Sequence, residues 1–320
     1  MFSLKMRMYV LVALMFSFLY AVVTMISYAM GVVNFGAYFV ITIIFMLIQY
    51  MLGPKMVEWS MRVRYVKDGE YSQLVSMVRE LAHKANIPMP RVAVSQMTVP
   101  NAFAYGRWLS DGRVCVTQGI LQLLNPDELN AVLAHEISHI KNRDVLTITL
   151  LSVIPLVLYR IAFHMFFYGG RSRREGQSTL LFGLAALVMY FITNLIVLYG
   201  SRIREYFADQ GAVQLGNHPK YLASALYKLV YGSARMSREQ LREVEGMKAF
   251  FVNDPSRAVG ELKELSQIDV DGSGTIDAEE LRILRAQVLK LNSADKFFEI
   301  FSTHPNMLKR IKRLSTYVAK

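Results

Sequence analysis

Residues 8–30 and 32–53 form two apolar runs without a single charged side chain, and only Gly31 separates them. Each is long enough to cross about 30 Å of hydrocarbon as a helix, so together they predict a tight membrane hairpin. The first run is too long for a signal-peptide core and carries no cleavage site, so it is expected to be retained. Lys5 and Arg7 precede the hairpin, and Lys55, Arg62, Arg64 and Lys67 follow it. Basic residues stay on the cytoplasmic side of a bilayer. That places the N-terminus and everything after residue 54 in the cytoplasm, in an inner or plasma membrane. Two further runs, 145–168 and 178–200, are interrupted by Arg160, His164 and Asn194. The loop between them carries Arg171, Arg173 and Arg174, which would face outward against the charge rule, but run length favours spanning. Arg160 and His164 stack at four-residue spacing, which suits a packed or snorkelling face better than a proton relay.

The rest of the composition agrees with a mixed protein. Of 320 residues, 53% are hydrophobic and the mean hydropathy is +0.28, too apolar for a soluble domain and too polar for a pure bundle. One cysteine, Cys115, excludes an intrachain disulfide and a cysteine-based zinc finger. The net charge of +11 fits attraction to an anionic leaflet. Its basic residues are scattered, with no interleaved aromatic module, which argues against nucleic acid.

The chemistry concentrates in His135-Glu136-Ile137-Ser138-His139. Four-residue spacing puts both imidazoles on one helix face, one turn apart, as two zinc ligands require. Asn125, Pro126 and Glu128 mark the start of that helix as a capping box. Leu129, Val132, Leu133 and Ile137 supply its apolar side. Beyond the second pair of apolar runs, Glu205 is the candidate third ligand, on a helix expected over 201–214 and capped by Ser201. Asp209 follows four residues later on the same face, placed to accept the second N–H of a zinc-bound histidine. Two histidines, one carboxylate and a water make an open zinc site. Glu136 beside it would serve as general base and return the proton to the leaving amine. The active site is then divided by a membrane hairpin. Since His139 and Glu205 must meet, the chain between them crosses the bilayer an even number of times or not at all.

Pro100 to Gly106, the histidine motif, Ser201 to Asp209 and Ser302-Thr303-His304-Pro305 occur in this order over about 100–314. In these pieces and in its four apolar runs the chain resembles the HtpX-type membrane zinc metallopeptidases, in the wider M48 group that includes the CAAX-processing Ste24 proteases. The resemblance implies a zinc metalloendopeptidase with its active site in the cytoplasm, acting on misfolded or damaged membrane proteins. It assigns zinc to His135, His139 and Glu205 and catalysis to Glu136, and it places Asn101 and His304 in the cleft. An amide or imidazole donor there would stabilise a developing oxyanion, and 101–106 reads as an edge segment able to pair with a substrate backbone. Equally, Asn101 could hold a turn and His304 could cap a helix before Pro305.

One segment, 255–292, departs from that family pattern. Asp269, Asp271, Ser273, Thr275, Asp277 and Glu280 occupy the ligand positions of an EF-hand loop, with Gly274 at its sharp turn. Apolar residues at helical spacing flank the loop on both sides. The expected ion is calcium, ordering the insert and modulating access to the cleft. EF-hands pair, and no second loop exists in this sequence. Either a second copy supplies the partner, making a homo-oligomer, or the site is structural and weak.

The expected fold is mainly α, with four transmembrane helices and a cytoplasmic zincin-like α+β metalloprotease domain. That domain would carry a small sheet over about 91–95, 101–106 and 113–117. The expected segments are a hairpin at 1–53, the first catalytic part at 54–144 and a second hairpin at 145–200. A second catalytic part at 201–320 would close with a helix over about 305–318, whose Lys309, Arg310, Lys312 and Arg313 read as a solvated or lipid-facing side. Polypeptides, membrane proteins above all, and the bilayer are the expected partners. The competing reading is a calcium-responsive membrane binding protein with a structural zinc site, which leaves Glu136 without a purpose. A transporter is weaker still, because no internal repeat relates the two hairpins.

Overall fold

The structure, a computed structural model, describes residues 35–144, isolated positions between 146 and 165, and residues 173–237, 258–287 and 299–318. The first apolar run, Arg160, His164 and the continuation of the insert beyond 287 lie outside the described residues. The chain divides into two compact units, Met1–Leu52 with Leu146–Ile203, and Gly53–Val145 with Arg204–Lys320.

In the first unit Leu151, Ile154, Leu158 and Met165 are buried together with Val197. Among the described residues one helix is long and apolar enough to cross a membrane, over Leu180–Gln214. The other three runs lie wholly or partly outside the described residues. This helix, α5, runs unbroken over Arg173–Gln214. The expected separate helix starting at Ser201 is therefore absent: the apolar run and the segment bearing Glu205 are one helix, and Ser201 lies inside it. Nothing between 195 and 210 breaks the pattern, because no proline or left-handed residue occurs there.

The second unit begins with the end of helix α1 (Phe35–Ser60), which continues past residue 53 with Pro54 inside it. Strand β1 (Val63–Tyr65), helix α2 (Ser72–Ala85), strands β2 (Arg91–Ser95), β3 (Ala102–Tyr105) and β4 (Arg113–Thr117), and helix α3 (Gln118–Leu123) follow. After them come α4 (Pro126–Lys141), the end of α5, α6 (Pro219–Ala234), α7 (Ala258–Leu265), α8 (Ala278–Ala286) and α9 (Met307–Ser315). The sheet has the order β1-β2-β4-β3, with β2 and β4 parallel and both outer pairings antiparallel. The expected three strands are present; β1 is an addition. Val92, Val94, Val114 and Val116 point into the main core with the helices, whereas Ala93, Cys115, Phe103 and Tyr105 pack on the opposite face with Val57 and Met61. The two-residue alternation of the strands thus divides the sheet between two clusters, and Cys115 is buried.

On the helical side α4 is central. It packs against α2, α6 and the strands β3 and β4. Its predicted capping box is present: Glu128 N donates to Asn125 Oδ1 at 2.9 Å, and Asn125 N to Glu128 Oε2 at 3.0 Å. Glu128 also accepts from the Ser224 hydroxyl at 2.6 Å and from Lys228 Nζ at 2.9 Å, so one carboxylate starts α4 and fastens it to α6. Gly211 sets the approach of α5: a Cβ there would sit 2.3 Å from Ser138 Oγ. Only glycine lets α5 lie this close to the histidine-bearing helix, and that closeness brings Glu205 to the histidines.

Candidate metal centre

The rings of His135 and His139 meet edge to face with centroids 4.7 Å apart, and their Nε2 atoms are 3.1 Å from one another. Glu205 completes the triangle, with Oε2 3.6 Å from His135 Nε2 and Oε1 3.5 Å from His139 Nε2. The three groups offer ligand atoms within 4.8 Å of one another, from the residues the sequence nominated.

A carboxylate stands beside each outer nitrogen. Asp209 Oδ1 lies 3.0 Å from His135 Nδ1, as its helical spacing suggested, and Asp144 Oδ2 lies 2.5 Å from His139 Nδ1. Both Nε2 atoms and the Glu205 carboxylate turn toward one another, so the three ligand atoms enclose a position suited to a cation. Glu205 Oε2 is buried and accepts no aligned hydrogen bond. The donor set, two imidazoles and a carboxylate with carboxylates behind them, fits zinc.

Asp144 was missed by sequence reasoning. It lies beyond the end of α4, and Arg143, in the left-handed region at φ 56°, turns the chain back toward His139. Arg204 holds it there, its Nη1 donating to the Asp144 carbonyl at 2.5 Å. An acidic residue five positions after the second histidine was the available signal.

Arg310 corrects the reading of the closing helix. It is 0% exposed, the largest fully buried side chain described. Its Nε and Nη2 donate to Asp209 Oδ2 and Oδ1 at 3.0 and 2.7 Å, and its Nη1 lies 3.2 Å from Glu205 Oε2. The fork of a guanidinium matches a carboxylate in a way an ammonium does not, so this position of the basic run faces the centre.

Electrostatics follow from burial. Burial opposes ionisation of Glu205, but His304, His135 and Arg310 outweigh it and hold its carboxyl well below the ordinary range. Asp209 is lowered against the same opposition, by Arg310 and His135. Burial would lower His135, yet its bonds to Asp209 and Glu205 raise it to about 9 in the metal-free centre. Glu136, 4% exposed, is pushed up by burial, with His139 and His135 opposing, and it accepts a hydrogen bond from the Ala104 N–H. That N–H belongs to β3, which forms one edge of the sheet.

His304 Nδ1 stands 3.4 Å from Glu205 Oε2, and neither ring nitrogen has a hydrogen bond. It does not cap α9; Asn306 does, accepting from Leu308 N at 2.9 Å. Asn101 is buried, and its backbone is tied to Thr117, donating to Oγ1 at 2.8 Å and accepting from N at 2.9 Å. His83 and His218 are exposed and stand apart from the centre.

In the insert, Asp269, Asp271 and Glu280 bring ligand atoms within 4.8 Å of one another. Gly274 turns at φ 74° and donates to Asp269 Oδ2 at 3.1 Å. Asp277 stands outside this trio; its carboxylate caps α8 by accepting from Glu280 N at 2.8 Å. Ser273 and Thr275 lie on the exposed side of the loop, within 3.0 Å of each other through their hydroxyls.

A family model described as peptidase family M48 matches residues 69–318. A protease HtpX homolog of Methanothermobacter thermautotrophicus is 46% identical over 228 residues, 71% of this chain and 86% of the relative. Another, from Thermoplasma acidophilum, is 31% identical over 306 residues, 94% of this chain and 92% of the relative. The crystal structure of S. mikatae Ste24p superposes with a TM-score of 0.53 at 14% identity, covering 96% of this chain and 66% of that one. At that identity it supports the fold alone, mostly helical with a small sheet.

Proposed function

This chain belongs to peptidase family M48, and on that premise we propose that it is a membrane-bound zinc endopeptidase working at the cytoplasmic face on misfolded or damaged membrane proteins. The observation that carries the reading is the convergence of His135, His139 and Glu205, each histidine backed by its own carboxylate. Zinc bound there would polarise the scissile carbonyl and acidify the attacking water. Glu136 takes the proton of that water and hands it to the leaving amine. A substrate strand adds to the open edge of β3, which sets its backbone beside Glu136 because Ala104 already touches that carboxylate. Asn101 and His304 donate to the carbonyl oxygen as charge develops on it.

The membrane assignment rests on the uncharged runs 8–30 and 32–53 and on exposed apolar side chains. Leu47, Ile48, Met51, Leu52, Met56 and Trp59 lie exposed on α1, and Leu181, Leu184, Val188 and Phe191 on α5. Apolar surface of this extent marks a membrane or partner contact. Among these relatives no observation favours a merely structural zinc. Stripping metal with a chelator should abolish casein cleavage by the detergent-solubilised chain, and one equivalent of zinc should restore it. Full activity after verified metal removal would sink the reading.

For the loop at 269–280 we propose calcium, held by Asp269, Asp271, Ser273, Thr275, Asp277 and Glu280 and modulating access to the cleft. Its support is the complete ligand spacing and the buried, undonated Asp269 Oδ1. Calcium titration by calorimetry should show one site per chain, lost in Glu280→Gln, and casein cleavage should change as that site fills. Confirmed binding with cleavage unchanged across calcium concentrations would end the modulating role.

A further inference from the structure

The basic closing helix does not behave as a solvated tail. Arg310 sends a two-pronged contact to Asp209, the carboxylate behind His135, and a third nitrogen toward Glu205. Two metal-ligand side chains thus depend for their placement on one guanidinium. It arrives from another part of the chain, on α9, and α9 needs something to hold it against the centre.

That hold comes from the helix–loop–helix 258–287. Before α9, Asn306 Nδ2 donates to Glu264 Oε2 of α7 at 2.7 Å, and both residues are buried. On α9 itself, Lys312 Nζ reaches the end of α8, donating to the carbonyls of Leu284, Arg285 (2.8 Å) and Gln287 (2.8 Å). A helix C-terminus leaves carbonyls unpaired and carries partial negative charge, so an ammonium there is well matched. Arg285 returns the contact, donating to the Val318 carbonyl at 3.1 Å. Lys312 lies two residues from Arg310. One side chain faces the insert, the other the metal ligands.

We infer that Arg310 is a positioning residue for the metal ligands, delivered by a strap over 304–318 that the helix–loop–helix clamps through Lys312 and Asn306. The inference rests on the zinc reading above and adds to it that a contact remote from the centre sets how tightly zinc is held. Guanidinium geometry matters here as well as charge: a lysine at 310 keeps the charge but cannot contact both oxygens of Asp209 and Glu205 together.

The test is zinc affinity of the full detergent-solubilised chain, measured by competition with a chromogenic chelator, with thermal unfolding of the zinc-free forms alongside. Arg310→Lys should weaken zinc by about 10- to 100-fold, the usual cost of losing a partner behind a metal ligand. Lys312→Met, which touches no ligand, should weaken it by about two- to thirty-fold, the range for a residue coupled through a packed network. The double variant should lose less than the product of the two, because Lys312 acts through Arg310. Undiminished zinc affinity in Lys312→Met would overturn the inference, even if that variant unfolds earlier; so would losses that simply multiply. A parent chain that takes up no zinc at all would overturn this inference and the zinc reading together. Normal parent binding with unresponsive variants would remove this one alone.

Discussion

Glu136→Gln should lower casein cleavage by about 100- to 10,000-fold, the usual contribution of a positioned proton acceptor, while zinc content stays at one per chain. Glutamine keeps the shape and can still accept the Ala104 N–H, so the fold around β3 and α4 has no reason to change. It cannot take a proton. Glu136 is not among the ligand atoms that converge with Glu205, so metal uptake is untouched. Measuring zinc and cleavage on the same preparation separates the two roles. Cleavage within a few-fold of the parent would remove Glu136 from the mechanism; loss of zinc with cleavage would make it a ligand.

Asp209→Ala should be the most damaging substitution to the fold. Arg310 and Asp209 are both 0% exposed. Removing the carboxylate takes two charge-assisted hydrogen bonds from a guanidinium in the interior. Breaking a buried pair from one side costs about 3–5 kcal/mol, read as the drop in chemical-unfolding stability of the zinc-free protein. Arg310→Met in the same background should recover part of it, since no buried charge is then left facing an empty position. A loss under about 1 kcal/mol, the value of an exposed pair, would contradict the burial argument. The same pairing sets an acid limit. Arg310, His135 and His304 hold Asp209 and Glu205 below their ordinary values against the cost of burial. The stability these carboxylates supply is complete above the usual carboxylate range and is lost as pH falls through their lowered folded values. An acid titration of the zinc-free chain followed by unfolding should show that loss, and Asp209→Ala should reduce it.

The histidine helix was legible because all its signals are local. Asn125 and Glu128 fix its start, apolar spacing fixes its buried face, and four-residue spacing fixes the two rings. Glu205 and Asp209 were legible for the same reason, one turn apart on a helix, although its true beginning, far upstream of Ser201, was not. Asp144 escaped because its place depends on one left-handed residue, Arg143, that nothing in the sequence marks. Arg310 escaped because it sits among Lys309, Lys312 and Arg313, and a run of basic residues looks alike whether it meets water or carboxylates. Strand β1 is three residues long with Arg64 at its middle, so it carries no strand pattern of its own; pairing with β2 makes it one. For Arg310 and β1, what the sequence withheld was a contact made at long range; for Asp144 it was a local turn of the backbone.

Arg310 also has a bearing on order of manufacture. It lies 101 positions beyond the carboxylate it neutralises. A chain emerging from the ribosome therefore exposes both histidines, Glu136 and Glu205 well before the guanidinium that sets them. Through that interval Asp209 has no buried counter-charge, and the centre is an assembly without its last part. The centre is therefore completed last, when the closing helix brings Arg310 to Asp209.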